Sequence, residues 1–315
     1  MLRIGLLGAS KIAPKAVIAP VALRDDVTIT AVAARDLAKA QAYAEQYGIA
    51  TAVEGYDALI DRDDVDLIYN ALPPAAHLEW TRKAAAAGKH MLCEKPFAMT
   101  AAEARAMVDA AAAAGVVLIE AFHYRFHPLM TRALEVMASG ELGPIVGAEA
   151  VFDVVIPKRD GELRWIREQG GGALMDLGCY PLHALRTLLG AEPTVIKASA
   201  RWDGGVDAGL GAALDFDGVP ARIHCDMEAT ERKILLRVDG EKASMTLESF
   251  VHPYRDNGGL RIGDRWEPAS PTTTYEAQLD HVVEVLAGRV APLTGGDDAV
   301  ATMAAIDAIY AAAGH

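Results

Sequence analysis

Short apolar runs alternate with segments of helical periodicity through the first 120 residues. The apolar runs have the density of strands that are buried on both faces. Regular alternation of this kind predicts a doubly wound parallel sheet, the Rossmann arrangement. The predicted strands are Leu2–Leu7, Val27–Ala34, Asp64–Leu72, Met91–Cys93 and Val116–Glu120, and the helices between them include Ala38–Tyr47, His77 to Gly88 and a segment capped by Thr100 that ends near Gly115.

Beyond Gly143-Pro144 the pattern changes to longer strands joined by Asp-Gly turns. Asp-Gly between strand-like runs favours hairpins, so we expect an open, mostly antiparallel sheet in an α+β domain. The predicted strands are Val146–Val155, Val195–Trp202, Leu210–Phe216, Ala221–Ala229, Ile234–Val238 and Ala243–Leu247, the turns are Asp203-Gly204-Gly205, Asp217-Gly218 and Asp239-Gly240, and the helices are Leu174–Leu189, Tyr275–Leu286 and Asp297–Ala312. The predicted domains are therefore residues 1–122 and 123–315, with the last helix packing back on the first domain.

Composition narrows the class of protein. The 315 residues are 52% hydrophobic and 23% charged, with a net charge of −13, which is typical of a globular protein and argues against a nucleic-acid or membrane-surface binder. There is no apolar run of membrane-spanning length and no signal-peptide layout at the start. Cys93, Cys179 and Cys225 lack metal or disulfide spacing, so we expect a cytoplasmic protein.

The turn after the first strand resembles a dinucleotide fingerprint. In Gly8-Ala9-Ser10-Lys11-Ile12-Ala13, Gly8 and Ala13 occupy the first and third places of G-x-G-x-x-G/A, and Ser10 occupies the second. Backbone N–H groups at such a turn bind pyrophosphate, so we predict that Gly8, Ala9, Ser10, Lys11 and Ile12 contact the cofactor. The alternative is an ordinary strand–helix turn.

The end of the second strand bears on cofactor choice. Arg35 suits a ribose 2′-phosphate, so the sequence favours NADP. Asp36 keeps NAD as the alternative, because an acidic side chain there would bind the ribose 2′-hydroxyl.

Two further strands end in candidate site residues. The carboxyl ends of parallel strands form the ligand crevice, which places Leu72, Pro73 and His77 after one strand and Glu94 and Lys95 after the next. A solvated Glu–Lys pair is the simpler interpretation of the second group.

An aromatic and basic connector follows the last strand of the first half. Glu120, His123 and His127 have a spacing that would suit metal ligands on a helix, but Pro128 follows immediately and we predict no metal site. We instead expect this aromatic and basic connector to line a cleft between the two domains.

The segment from Gly170 to His183 contains the second group of candidate residues. Three glycines permit a tight loop, and Asp176 and Tyr180 share a helix face with His183 one turn further on. The alternative is a glycine hinge followed by a helix in which Tyr180 packs and Asp176 caps.

These motifs together resemble the Gfo/Idh/MocA oxidoreductase family. The resemblance covers nearly the whole chain, and the Tyr180 form resembles the branch of glucose–fructose oxidoreductase, NADP-dependent xylose dehydrogenase and dimeric dihydrodiol dehydrogenase. Departures are Ser10 in place of the second glycine and His123 where many relatives are apolar. The matching segments are Gly8–Ala13, Glu94-Lys95-Pro96, Glu120–Pro128, Arg164-Trp165 and Gly170–His183.

The resemblance implies hydride transfer between NADP, or NAD, and a sugar, polyol or cyclic diol. The hypothesis assigns Tyr180 as general acid/base, with Lys95 lowering its pKa and Asp176 orienting Lys95 or a substrate hydroxyl. Glu94 and Trp165 are expected at the cofactor.

The expected substrate residues are His123, Tyr124, Arg125, Asp176 and His183. A homodimer or homotetramer through the C-terminal sheet is implied by the resemblance. Two alternatives remain: an aldose–aldose oxidoreductase that does not release its cofactor, and a non-catalytic NADP-binding sensor.

Overall fold

Residues 1–255 and 258–314 are described by a computed structural model, and they fall into two structural units. The first unit comprises Met1–Ala121 and Gln278–Val300, and the second comprises Phe122–Ala277 and the residues from Ala301 onward. Each unit is built around its own sheet.

The first unit contains a parallel sheet of six strands in the part of the chain that the structure describes. Their order, β3-β2-β1-β4-β5-β6, is the Rossmann order, which confirms the predicted doubly wound sheet. β3 was not predicted, because it lies at the sheet edge and lacks a buried apolar run. The strands are β1 (Leu2–Leu7), β2 (Val27–Ala34), β3 (Thr51–Glu54), β4 (Leu67–Asn70), β5 (His90–Cys93) and β6 (Leu118–Glu120).

Local capping fixes where the helices of the first unit begin. The Asp36 carboxylate accepts the Lys39 N–H at 2.8 Å, and the Thr100 hydroxyl accepts the Glu103 N–H at 3.2 Å. Gly48 ends one helix in the left-handed region. The helices are α1 (Ala19–Val21), which continues a π-helical turn at Pro14–Ile18, α2 (Leu37–Tyr47), α3 (Tyr56–Ile60), α4 (Pro74–Ala86) and α5 (Ala101–Ala114).

The second unit contains an eight-stranded sheet among the described residues, in the order β14-β13-β12-β11-β7-β10-β9-β8. Its neighbouring strands are antiparallel except β7 and β10, which confirms the predicted, mostly antiparallel sheet. The strands are β7 (Ile145–Val155), β8 (Thr194–Asp203), β9 (Val206–Phe216), β10 (Val219–Asp226), β11 (Glu228–Gly240), β12 (Ser244–Glu248), β13 (Gly259–Ile262) and β14 (Arg265–Pro268).

Helices α6 and α7 belong to the second unit. α7 packs its apolar side chains, including Leu182 and Leu185, into the core of this unit. Before α7, a π-helical turn occupies Leu174–Gly178, so the predicted single helix over 174–189 has two parts. The helices of this unit are α6 (Pro128–Ser139) and α7 (Cys179–Leu189), while α8 (Thr274–Leu286) and α9 (Gly296–Ala312) each have residues in both units. Short 3-10 turns lie at His123–Phe126, Leu163–Trp165 and Arg167–Gln169.

The three hairpins predicted at Asp-Gly turns are present, but the third turn and several strand bounds differ from the prediction. The turns after Asp203 and at Asp217-Gly218 are confirmed, and the hairpin predicted at Asp239-Gly240 joins β11 to β12. Gly240 itself still belongs to β11, and its N–H donates to the Ala243 carbonyl oxygen across the turn. β11 begins at Glu228, six residues before the predicted start at Ile234, because the polar residues there hide the strand pattern.

Candidate active site

The turn after β1 presents unused hydrogen-bond donors. In the described part of the chain, the backbone N–H groups of Ala9, Lys11 and Ile12 donate to no protein atom. Gly8 has φ +103°, and a Cβ there would lie 3.0 Å from Leu72 Cδ2, so this position requires glycine. A close-approaching turn with three unused donors fits the pyrophosphate of a dinucleotide.

Ser10 replaces the second glycine of the fingerprint without closing the turn. Its hydroxyl accepts the Ala13 N–H at 3.2 Å, and its carbonyl oxygen accepts the Tyr43 hydroxyl at 2.9 Å. Ser10 therefore links the turn to the start of the helical segment that follows and to α2.

The end of β2 separates the two candidate ribose residues. Asp36 is the N-cap of α2, so its carboxylate already accepts a backbone N–H. Arg35 is exposed, and its charge partly offsets the rise that burial causes in the pKa of Tyr56. Both side chains are exposed, but the Asp36 carboxylate has a structural role as the N-cap of α2.

At the end of β5, Glu94 is held from the neighbouring strand. The Tyr69 hydroxyl on β4 donates to Glu94 Oε1 at 2.6 Å. Burial raises the pKa of the Glu94 carboxyl, while that hydrogen bond and the charges of Lys95 and Lys15 lower it. Glu94 and Lys95 thus follow the end of β5, where the sequence predicted them. The Glu94 side chain is fixed by a hydrogen bond and is not freely solvated.

His77 is buried in α4 and joins two loops of the first unit. Its Nδ1 lies 3.0 Å from the carbonyl oxygen of Phe97, and its Nε2 lies 2.8 Å from that of Leu72. Burial lowers the pKa of His77. The side chain therefore links the loop after β4 to the loop that follows Lys95, and Pro73 begins the helix that carries it.

In the second unit, Asp176 forms an ion pair that the sequence did not predict. Arg164 Nε lies 2.8 Å from Asp176 Oδ2, and this carboxylate is the largest cause of the raised pKa of Arg164. The neighbouring Trp165 donates its indole N–H to the Ile156 carbonyl oxygen at 3.0 Å, with Lys158 Nζ 4.5 Å from the ring centroid.

Tyr180 lies within a buried cluster of aromatic and histidine side chains. Its hydroxyl is 3.1 Å from His123 Nε2, and His123 Nδ1 is 2.8 Å from Thr274 Oγ1. Beside it, the Tyr124 hydroxyl is 2.5 Å from His183 Nδ1. The structure therefore brings together four of the predicted second-unit residues, whereas Arg125, on the same 3-10 turn as His123 and Tyr124, lies partly exposed.

His127 has a structural role at the start of α6. Its Nδ1 accepts the Leu129 N–H at 3.1 Å, which leaves Nε2–H to donate to the Thr272 carbonyl oxygen at 3.0 Å. Among residues 1–255 and 258–314, no group of three His, Cys, Asp or Glu side chains is arranged to hold a metal ion.

Asp207 supports the glycine loop and was missed by the sequence analysis. Its carboxylate accepts the Leu174 N–H at 2.7 Å and the Tyr310 hydroxyl at 2.8 Å. Gly172, at φ +127°, has no room for a Cβ beside that carboxylate. Burial raises the pKa of Asp207 to about 6. No local motif marks it, because its partners lie 33 and 103 positions away.

A parallel sheet in the Rossmann order with such a turn defines a dinucleotide-binding protein. Comparison with family models agrees: residues 2–122 match the oxidoreductase family with an NAD-binding Rossmann fold, and residues 130–246 match the GFO/IDH/MocA C-terminal domain. The chain belongs to the GFO/IDH/MocA oxidoreductase family. It is a nicotinamide-dependent oxidoreductase, which confirms the expectation from sequence.

Individual relatives match nearly the whole length of the chain. It is 34% identical to D-xylose 1-dehydrogenase (NADP(+)) 2 of Haloferax volcanii, over 98% of this chain and 96% of that one. Its fold matches KijD10, a 3-ketoreductase from Actinomadura kijaniata solved with NADP and TDP-benzene, at TM-score 0.89 and 28% identity. The aldose–aldose oxidoreductase of Caulobacter crescentus, complexed with glycerol, matches at TM-score 0.89 and 31% identity. Both structural matches cover 99% of this chain and 97% of the other.

Among residues 1–255 and 258–314, no helix combines the length and the apolar character needed to span a membrane.

Proposed function

We propose that this enzyme is an NADP-dependent sugar dehydrogenase in which Tyr180 is the general acid/base. The observation that carries the proposal is the buried Tyr180 hydroxyl, which lies among histidine and tyrosine side chains. Sugar-oxidising and sugar-reducing relatives that span nearly the whole chain support the substrate class.

The cofactor residues proposed from sequence fit a dinucleotide. The unused N–H groups of Ala9, Lys11 and Ile12 would hold the pyrophosphate, and the exposed Arg35 would bind the 2′-phosphate of NADP. When bound, the nicotinamide supplies hydride transfer to or from a carbon of the substrate.

Tyr180 transfers the proton that accompanies hydride transfer. In sugar oxidation Tyr180 accepts the hydroxyl proton, and in reduction it returns that proton to the carbonyl oxygen. The Arg164–Asp176 ion pair holds a carboxylate one helical turn before Tyr180, where it can bind a sugar hydroxyl. Lys95 and Tyr180 belong to different units, and their joint action remains a prediction from sequence.

The test combines cofactor titration with turnover. We expect NADPH to bind more tightly than NADH in fluorescence titrations, and D-xylose or another sugar of an aldose and polyol panel to be oxidised with NADP⁺. Tyr180→Phe should lower kcat by about 10²–10⁴-fold without weakening NADPH binding, because only the proton acceptor is lost. Tyr47→Phe, on α2, is the matched control. Full turnover by Tyr180→Phe would disprove the assignment.

The aldose–aldose reaction is the second candidate, because a relative with that activity is 31% identical. Cofactor that survives dialysis, with two sugars oxidised and reduced in alternation, would replace the dehydrogenase proposal.

The eight-stranded sheet is proposed as the interface of a homodimer or a homotetramer. A shallow groove of about 460 Å³ crosses this face, and small residues such as Gly211 and Ala213 lie between charged ones of both signs, including Glu149 and Arg222. Small residues permit close approach of a second copy, and mixed charges permit pairing across a two-fold axis.

A cytoplasmic location is also proposed. The three cysteines are buried, and none of them forms a disulfide within the described chain. Reduced thiols are typical of a reducing compartment.

A further inference from the structure

His123 contacts the proposed acid/base residue directly. Its Nε2 is 3.1 Å from the Tyr180 hydroxyl, and both side chains are buried. A buried imidazole has one N–H in its neutral form, so the direction of this hydrogen bond depends on which ring nitrogen carries the proton.

Thr274 decides that direction. Its buried hydroxyl has one side-chain hydrogen-bond partner in the described chain, His123 Nδ1 at 2.8 Å. A hydroxyl that accepted from Nδ1–H would leave its own hydrogen buried and unsatisfied, which costs about 1–3 kcal/mol. Thr274 therefore donates to Nδ1, and the ring proton lies on Nε2, facing Tyr180.

We propose that His123 is a positioning residue that donates from Nε2 to the Tyr180 oxygen and thereby favours the phenolate form. This inference rests on the proposed role of Tyr180. A hydrogen bond donated to the charged form of an acid stabilises that form. Because Nε2 is the donor in this bond, the Tyr180 O–H cannot donate to Nε2. His123 thus supplies, within the second unit, a donor that prepares Tyr180 to accept a proton.

The other rings around His123 are aromatic or titratable. Tyr275 lies 4.2 Å and His252 lies 5.0 Å from it, centroid to centroid, and the Tyr124–His183 pair lies beside Tyr180. Because His252 is a second imidazole stacked on His123, a His252→Asn variant must accompany the measurements as a control.

The test reads Tyr180 ionisation without substrate. Tyrosinate absorbance near 295 nm is titrated in the wild type and in Tyr180→Phe, and their difference reports Tyr180 alone. The same two titrations, with Tyr180 and with Tyr180→Phe, are repeated in proteins that carry His123→Met. This substitution removes the Nε2–H donor and keeps a side chain of similar volume. We expect the titration midpoint of Tyr180 to rise by about one pH unit. One such hydrogen bond is worth about 1.4 kcal/mol, which corresponds to a tenfold change in the ionisation constant.

Two further variants separate positioning from packing. His123→Gln keeps an N–H near the Nε2 position and should restore the wild-type midpoint. Thr274→Val, compared with Thr274→Ser, removes the donor to Nδ1 and should raise the midpoint by a smaller amount than His123→Met. An unchanged or lower midpoint in His123→Met would overturn the inference.

Turnover distinguishes this inference from the proposed function. If Tyr180 is the acid/base, His123→Met should lower kcat at pH 7 about tenfold with KM within twofold, and should have no further effect in the Tyr180→Phe background. An active Tyr180→Phe enzyme would refute the proposed function, while the absorbance titration would still report on His123.

Discussion

Asp207→Asn tests whether the raised pKa of the buried carboxylate that anchors the glycine loop makes the protein's stability depend on pH. Asp207 is 1% exposed, and burial raises its pKa from the ordinary 3.8 to about 6 against the opposing hydrogen bonds from Leu174 and Tyr310. The folded protein therefore binds a proton near pH 5 that the unfolded chain does not. The stability from this group is present at low pH and is lost as the pH rises through 6.

The size of the effect follows from the two pKa values. Between pH 5 and pH 7.5, linkage at Asp207 lowers the free energy of unfolding by about 1.4 kcal/mol. Asparagine does not titrate and still offers an oxygen to the Leu174 N–H. The stability of the wild type relative to Asp207→Asn should therefore be about 1.4 kcal/mol greater at pH 5 than at pH 7.5.

Urea unfolding followed by circular dichroism at the two pH values measures this difference. Comparing the wild type with Asp207→Asn cancels what the other carboxyl groups contribute to the pH dependence of stability, because those groups are the same in both proteins. Asp217→Asn, at an exposed hairpin turn, is the control and should show no such change. A relative stability that is constant between the two pH values within about 0.3 kcal/mol, or that changes in the opposite direction, would refute the reasoning.

Two further predictions concern cofactor choice and assembly. Arg35→Gln should weaken NADPH binding about tenfold in fluorescence titrations and leave NADH binding unchanged, with Lys39→Gln as control; equal losses for both cofactors would contradict a 2′-phosphate contact. Gly211→Arg should convert the proposed dimer to monomer in light scattering, because a Cβ there is tolerated, 3.6 Å from His224, but the long cation blocks a second sheet. Exposed Ala75→Arg is the control, and a Gly211→Arg protein that stays dimeric would exclude this face.

The sequence alone predicted the architecture, because hydrophobic periodicity and turn chemistry are local properties. Apolar runs followed by helical segments specified the parallel sheet, and Asp-Gly pairs specified the three predicted hairpins. The edge strand at Thr51–Glu54 and the start of β11 at Glu228 escaped prediction, because partly exposed strands lack a clear apolar pattern.

The candidate residues were also found from sequence, since Gly8, Lys95 and Tyr180 lie in short motifs. Their partners were not. Asp207 reaches Leu174 from a neighbouring strand, and Thr274 orients His123 from 151 positions away.

Pairings of this kind depend on which strands and helices become neighbours, and no local pattern encodes them. The sequence therefore determined the fold class and the acid/base candidate. The tertiary structure alone decided which carboxylate caps a helix, which one pairs with Arg164, and which nitrogen of His123 faces Tyr180, because each depends on long-range packing that fixes hydrogen-bond direction.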